Sequence, residues 1–222
     1  MPSQGTSFIV AIDGPAASGK GTLARGLAAK FGFAHLDTGK LYRATALAVL
    51  QSNGDPRDAA TAAAAAGRLD PVLLAEPRLL DEAVAGAASV VAAIPQVRAA
   101  LLDYQRNFAA HPPASASGAV LDGRDIGTAV CPDADVKLFV TASTETRAER
   151  RFQELRQRGA PAIYRDVLQD MKERDARDTQ RQAAPLAAAT DAVIIDTTTL
   201  DADQAFERAS ALIARALGSR SR

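Results

Sequence analysis

The chain has one cysteine, two histidines and no tryptophan in 222 residues. A single thiol, Cys131, excludes an internal disulfide. With His35 and His111 as the only imidazoles, and no CxxC or HExxH spacing, no metal-ligating residue is assigned. Cys131, next to Pro132, reads as a small, partly buried apolar residue, and the two histidines as residues of the surface or core edge. Excess charge of one sign is missing too: Lys+Arg 26 balances Asp+Glu 26, which weighs against a nucleic-acid backbone as the main partner. No run approaches the roughly 18 consecutive apolar residues of a membrane span. The opening MPSQGTSFIVAIDG lacks the basic and long apolar regions of a signal peptide. The expectation is a cytoplasmic protein with neither membrane nor nucleic acid as a partner.

What is present suits a globular chain, since 47% hydrophobic with 23% charged residues excludes disorder throughout. The length allows one domain with an insertion. Short Val/Ile-rich runs recur at Ser7–Ile12, Phe33–Leu36, Ala119–Leu121, Val136–Val140 and Ala192–Ile195, separated by helical stretches. Apolar runs without alternation suit strands covered on both faces, so the predicted fold is α/β with five parallel strands flanked by helices. The connection from Arg43 to Gly118 is too long for one crossover helix. We read residues 44–110 as an inserted subdomain, mostly helical at Asp58–Arg68, Asp81–Val91 and Val97–Phe108, between core segments 1–43 and 111–222. Residues 144–181 are densely charged, with a repulsive Glu145–Glu149 spacing and a favourable Glu154–Arg158 one. Gly159-Ala160-Pro161 breaks that helix and leaves arginines on both sides of a short loop, so 157–163 is the candidate lid. The tail after Ala216 is expected to fray.

The strongest motif is Gly14, Pro15, Ala16, Ala17, Ser18, Gly19, Lys20, Gly21 and Thr22, placed after the strand FIVAID and before a helical run. Glycines let successive N–H groups curl inward and the helix presents its positive end. Lys20 then reaches the β- and γ-phosphates of a nucleoside triphosphate. Gly21 stands where such loops usually carry a Mg²⁺-binding Ser or Thr. The ion would therefore be held through waters and the nucleotide's own oxygens.

The Gly-Lys-Gly-Thr ending resembles that of nucleoside monophosphate kinases. Three further segments follow in order: Asp37-Thr38-Gly39-Lys40-Leu41-Tyr42-Arg43, Asp122-Gly123-Arg124-Asp125-Ile126-Gly127-Thr128, and Glu173-Arg174-Asp175-Ala176-Arg177-Asp178-Thr179-Gln180-Arg181 with Ala184-Pro185-Leu186. Together these closely resemble bacterial cytidylate kinases, from Phe8 to Leu217. The resemblance implies phosphoryl transfer from ATP, with Mg²⁺, to CMP or dCMP. It places Thr38, Arg43, Arg124 and Arg181 around the acceptor phosphate, with Arg174 similarly placed. It also implies that Asp125 reads the cytosine amine, that Ser89 and Arg98 complete the base pocket, and that Asp178 holds the ribose. Lys20, Arg124, Arg174 and Arg181 are the expected catalytic cations, and Arg158 would follow the lid onto the phosphates. Asp122 has two candidate roles, holding a Mg²⁺-bound water or holding Arg124, between which the sequence does not choose.

Physically, these segments follow strand ends or lie in the charged region, and ligands of open α/β sheets bind at the carboxyl ends of strands. Arginines there give charge-assisted bonds to phosphate. A carboxylate accepts from the N4 amine of cytosine and repels the O4 of uracil. No nucleophile or general base is called for. A kinase for UMP or a non-nucleotide alcohol, or a nucleotide-binding switch, are the rivals. A guanine-reading Asn-Lys-x-Asp segment is absent, since Asn53 and Asn107 precede Gly and Phe. Family members commonly carry a small sheet in the insertion, whereas here 68–86 is short and Ala-rich. That puts CMP affinity, more than the reaction, in question. A neutral chain with two moving segments makes a monomer the simpler expectation.

Overall fold

The structure is a computed structural model, and it describes residues 7–220. Five strands form one parallel sheet: β1 (Phe8–Asp13), β2 (Ala34–Asp37), β3 (Gly118–Gly123), β4 (Val136–Thr141) and β5 (Val193–Asp196), in spatial order β2-β3-β1-β4-β5. The predicted strands therefore all form, each within a residue or two of its expected start and, for β3, of its end.

Alternate side chains of the same strand enter different cores. Phe8, Val10 and Ile12 of β1 pack with Val120, Leu138 and Ile195 under α1 (Lys20–Phe31) and the last helix. Ala11, Ala119 and Leu121 pack on the other face under α2 (Thr38–Gln51), α3 (Ala59–Gly67), α4 (Glu82–Val91) and α5 (Pro95–Ala110). This two-sided burial is why the strands read as unbroken apolar runs.

Residues 59–110 are mostly helical, as expected. Asp58 caps α3 by accepting from the backbone N–H groups of Ala60 and Thr61. Residues 71–80 form two short 3-10 turns, each with proline at its first position and an acidic residue (Asp70, Glu76) capping it. No strand occurs in the insertion among the described residues. The expected boundary at residue 44 falls inside α2.

After β4, α6 (Thr144–Gln157) is capped by Ser143, whose hydroxyl accepts from the Thr146 N–H, and two residues past its end Gly159 lies in the left-handed region. Then come α7 (Tyr164–Gln180) and, after β5, α8 (Ala202–Arg220). The expectation of a frayed tail after Ala216 is corrected: α8 continues four residues further, to Arg220. Its last turn is tied down, because Arg220 donates to Asp135 at 3.2 Å and lies over the Phe8 ring. The reading of the first six residues lies outside the described residues. No single helix among the described residues is long and apolar enough to cross a membrane.

Candidate functional site

The loop of residues 14–19 joins the carboxyl end of β1 to α1. Gly14 has φ +150, and a Cβ there would lie 2.0 Å from the Val140 carbonyl oxygen, so only glycine fits against β4. Gly19 occupies the left-handed region at the start of α1. That helix has neither a side-chain cap nor an acidic residue in its first turn, which leaves its positive end for an anion. Ser18 Oγ is buried without a partner.

Lys20 is buried, and its ammonium donates to the Pro15 carbonyl at 3.0 Å. Burial, with Arg124 adding to it, pushes its pKa down to about 7, against the pull of Asp122 and Asp37. A cleft of about 340 Å³ opens in front of it, lined by Ala16, Ala17, Lys20, Gly21, Asp37, Arg43, Asp122, Arg124, Arg151 and Arg174 among others. Arg174 Nε is buried with no hydrogen-bond partner. Burial first, then the neighbouring Arg124, lowers the Arg174 pKa to about 10. A buried donor without a protein acceptor, crowded by like charge, favours an anion beside it. Arg43, also lowered by burial and by Arg151, donates to the Leu79 carbonyl at 2.6 Å.

A second, smaller cavity of about 60 Å³ adjoins the first, with Thr38, Arg43, Ser89, Arg98, Arg124, Asp125, Arg174, Asp178 and Arg181 on its walls. Asp125 is 4% exposed and sits between two guanidiniums, in a short contact with Arg98 and at 3.3 Å from Arg181. Arg124 Nε donates to Asp178 at 2.8 Å, and Asp178 is held below the usual carboxylate range by Arg124 and Arg174, which outweigh its burial. Thr38 donates to the Asp122 carbonyl at 2.8 Å, and Ser89 accepts from Arg177 at 3.2 Å. All the residues expected around an acceptor nucleotide therefore meet around these two cavities.

Two of the expected residues have other partners in this structure. Asp122, for which two roles were open, is engaged by a histidine. Its Oδ2 lies 2.7 Å from His35 Nε2, because β2 and β3 are adjacent strands that bring the two side chains together. His35 is thus a partner of a site residue and more than a core-edge filler; His111 is exposed beside Asn107. Arg158 lies outside both cavities and pairs with Glu154 at 2.5 Å, since a spacing of four residues on the end of α6 puts that carboxylate closest. Arg151, about two turns before Arg158 on α6, lines the cleft.

Asp13 went unread in the sequence, and the segment Asp196-Thr197-Thr198 offered only a guess at the pocket for the donor base. Asp13, the last residue of β1, accepts from the N–H groups of Ile126 and Gly127 at 2.7 and 2.8 Å and so fixes the turn that carries Asp125. Burial raises its pKa to about 6 despite those bonds. Thr197 donates to the Ser18 carbonyl at 3.1 Å, and with Arg150, Leu200 and Phe206 it lines a third cavity of about 700 Å³ on the other side of the loop. An aspartate ending a strand just before a glycine loop was the one available signal for Asp13.

Residues 10–215 match the family model described as cytidylate kinase. The chain belongs to the cytidylate kinase family. The cytidylate kinase of Rhodospirillum rubrum is 61% identical over 207 residues, 93% of this chain and 97% of that protein. That of Paramagnetospirillum magneticum is 60% identical over 207 residues, 93% and 98% of the two chains. Among solved structures, an uncharacterized protein from Eubacterium ventriosum aligns over 94% of this chain and 99% of its own, with TM-score 0.54 at 17% identity, a likeness of fold alone. The cytidylate kinase match covers the phosphate loop, residues 44–110 and the arginine-bearing helix α7 together.

Proposed function

We infer that the protein transfers the γ-phosphoryl group of ATP to CMP or dCMP, giving ADP and CDP or dCDP. The observation that carries this reading is the pair of adjoining cavities: one is built on the phosphate loop and the other around Asp125, with Arg124 and Arg174 on the wall of both. Triphosphate on one side and monophosphate on the other would meet at those two guanidiniums.

The chemistry needs charge and alignment and no protein nucleophile. Lys20 and the N–H groups of the loop hold the donor phosphates. Arg43, Arg124, Arg174 and Arg181 bind acceptor phosphate and neutralise charge on the phosphoryl group in flight. Asp125 accepts from the cytosine amine, Arg98 and Ser89 shape the base pocket, and Asp178 takes the ribose. The third cavity, with Thr197 and Arg150, takes the adenosine.

Mg²⁺ fits as a hydrated ion. No group of three or more ligating side chains exists among the described residues, yet Asp122 and Asp37 face the phosphate cleft and would hold its waters. Bound there, Mg²⁺ supplies neutralisation of phosphate charge.

Residues 44–110 serve as the acceptor-binding insertion and 157–163 as a lid, with Arg158 reaching the phosphates only after closure. A monomer in the cytoplasm suits the neutral chain. An assay of ADP release with ATP, Mg²⁺ and CMP, dCMP, UMP, AMP, GMP or no acceptor tests the proposal. Turnover led by CMP and dCMP is expected, and acceptor-independent ADP release overturns it.

A further inference from the structure

Arg147 on α6 belongs to neither cavity wall, and its side chain is only 4% exposed. A guanidinium carries five N–H donors in a rigid plane, and each here has an acceptor. Nε donates to the Ala142 carbonyl at 3.0 Å, just past the end of β4. Nη1 donates to the Ala16 carbonyl at 3.3 Å and to Asp175 Oδ1 at 3.1 Å. Nη2 donates to Thr144 Oγ1 at 3.0 Å and to Asp175 Oδ2 at 2.6 Å.

The two ends of this fork are functionally distinct. Ala16 lies in the phosphate loop immediately before Ala17, a non-glycine residue in the left-handed region at φ +57, so its carbonyl is at the point where the loop's direction is set. Asp175 lies on α7, directly after Arg174 and less than one turn before Asp178, which holds Arg124. One buried, planar group therefore joins the backbone of the donor loop to the helix that carries the acceptor arginine and its carboxylate. A shift of α7 toward an acceptor must carry the guanidinium with it or leave a buried charge unpaired, and the same holds for a shift of the loop.

We propose that Arg147 is a positioning residue which, through Asp175, couples occupancy of the donor loop to occupancy of the acceptor cavity. This rests on the reading of the two cavities as ATP and CMP sites. Calorimetric titration with β,γ-imido-ATP and Mg²⁺, with and without saturating CMP, measures the coupling directly, and by linkage the reverse titration must return the same factor. The wild type is expected to bind the analogue at least about fivefold more tightly when CMP is present, the lower end of ordinary coupling.

In Asp175→Asn, which keeps shape and loses the bidentate charge, that factor is expected to fall to within twofold of one. Asp175→Glu is expected to recover part of it, and Arg147→Lys, without the fork, to behave like Asp175→Asn. A thermal melt of each variant confirms that it is folded; should Arg147→Lys not fold, the two Asp175 variants decide. A coupling factor of one in the wild type overturns the proposal, as does undiminished coupling in folded Asp175→Asn. Absence of CMP or analogue binding to the wild type refutes instead the assignment of the cavities, and the coupling with it.

Discussion

The depressed pKa of Lys20 has a consequence that can be weighed directly. With its pKa near 7 in the free protein, only about one-tenth of Lys20 is protonated at pH 8. A triphosphate bound against the amine restores the charge, so ATP binding at pH 8 should take up about 0.9 proton. The choice of pH isolates this group. Asp13, at about 6, is ionised by then, and so is a terminal phosphate whose last proton leaves near pH 6. Calorimetric enthalpies of ATP binding in buffers of differing ionisation enthalpy give the proton number as a slope. Lys20→Arg keeps a cation that cannot deprotonate and should bring the slope close to zero.

The same shift bears on stability, with a definite sign. Between pH 7 and 10.5 the unfolded chain holds the Lys20 proton and the folded one does not, so stability of the free protein should rise with pH across that window. A displacement from 10.5 to about 7 corresponds to on the order of 5 kcal/mol in all, a rise that Lys20→Met should remove. A wild-type binding slope of zero, or a slope unchanged in Lys20→Arg, would refute the reasoning.

Asp125→Asn leaves Arg98 and Arg181 facing a neutral acceptor. The kcat/KM for CMP should fall by about 2–3 kcal/mol, or 30- to 150-fold, with the KM for ATP within about twofold; steady-state kinetics in each substrate check this. Gly14→Ala puts a methyl 2.0 Å from the Val140 carbonyl, and a loss of about 3 kcal/mol is expected, seen as a Tm lower by roughly 6–12 °C. The Cys131 thiol, pushed up to about 11 by burial, should react with a thiol reagent at pH 8 only slowly in the native protein and fully after denaturation.

Legibility in the sequence followed contact range. β1 to β5 were readable because each is a local apolar run, and the loop at 14–22 because its glycines and lysine are contiguous. The insertion helices were readable from alanine content and the spacing of Val97, Leu101, Tyr104 and Phe108. What escaped were groups whose partners are remote along the chain. Asp13 meets Ile126 across 113 residues and Arg147 meets Ala16 across 131. Nothing in a window around either of them reports the partner. Arg158 is the complementary case. Its position in a charged, glycine-broken stretch suggested a phosphate, but the carboxylate of Glu154, one turn back, is the nearer partner in this conformation. The order of the last turn of α8 depends likewise on Asp135 and Phe8, far from it in sequence.

Overall neutrality is compatible with binding two anionic nucleotides because most of the site's cations fall into two kinds. Arg98 and Arg181 on Asp125, and Arg124 on Asp178, are each already paired with a carboxylate. An incoming nucleotide therefore exchanges one partner for another and does not meet bare charge. Such exchanges favour the ligand whose groups match the freed ones, a phosphate for the arginines and an amine for Asp125, so they select more than they attract. Arg174 is of the other kind, with a buried Nε that has no partner to exchange. Lys20 stands with it, its protonated form held unfavourable by burial and Arg124. Attraction resides in this second pair, which flanks the phosphate cleft. On the proposed reading of Asp125, Arg98 and Arg181 lie on it in this conformation and line the cavity of about 60 Å³, so a base that satisfies Asp125 takes the place of those two guanidiniums.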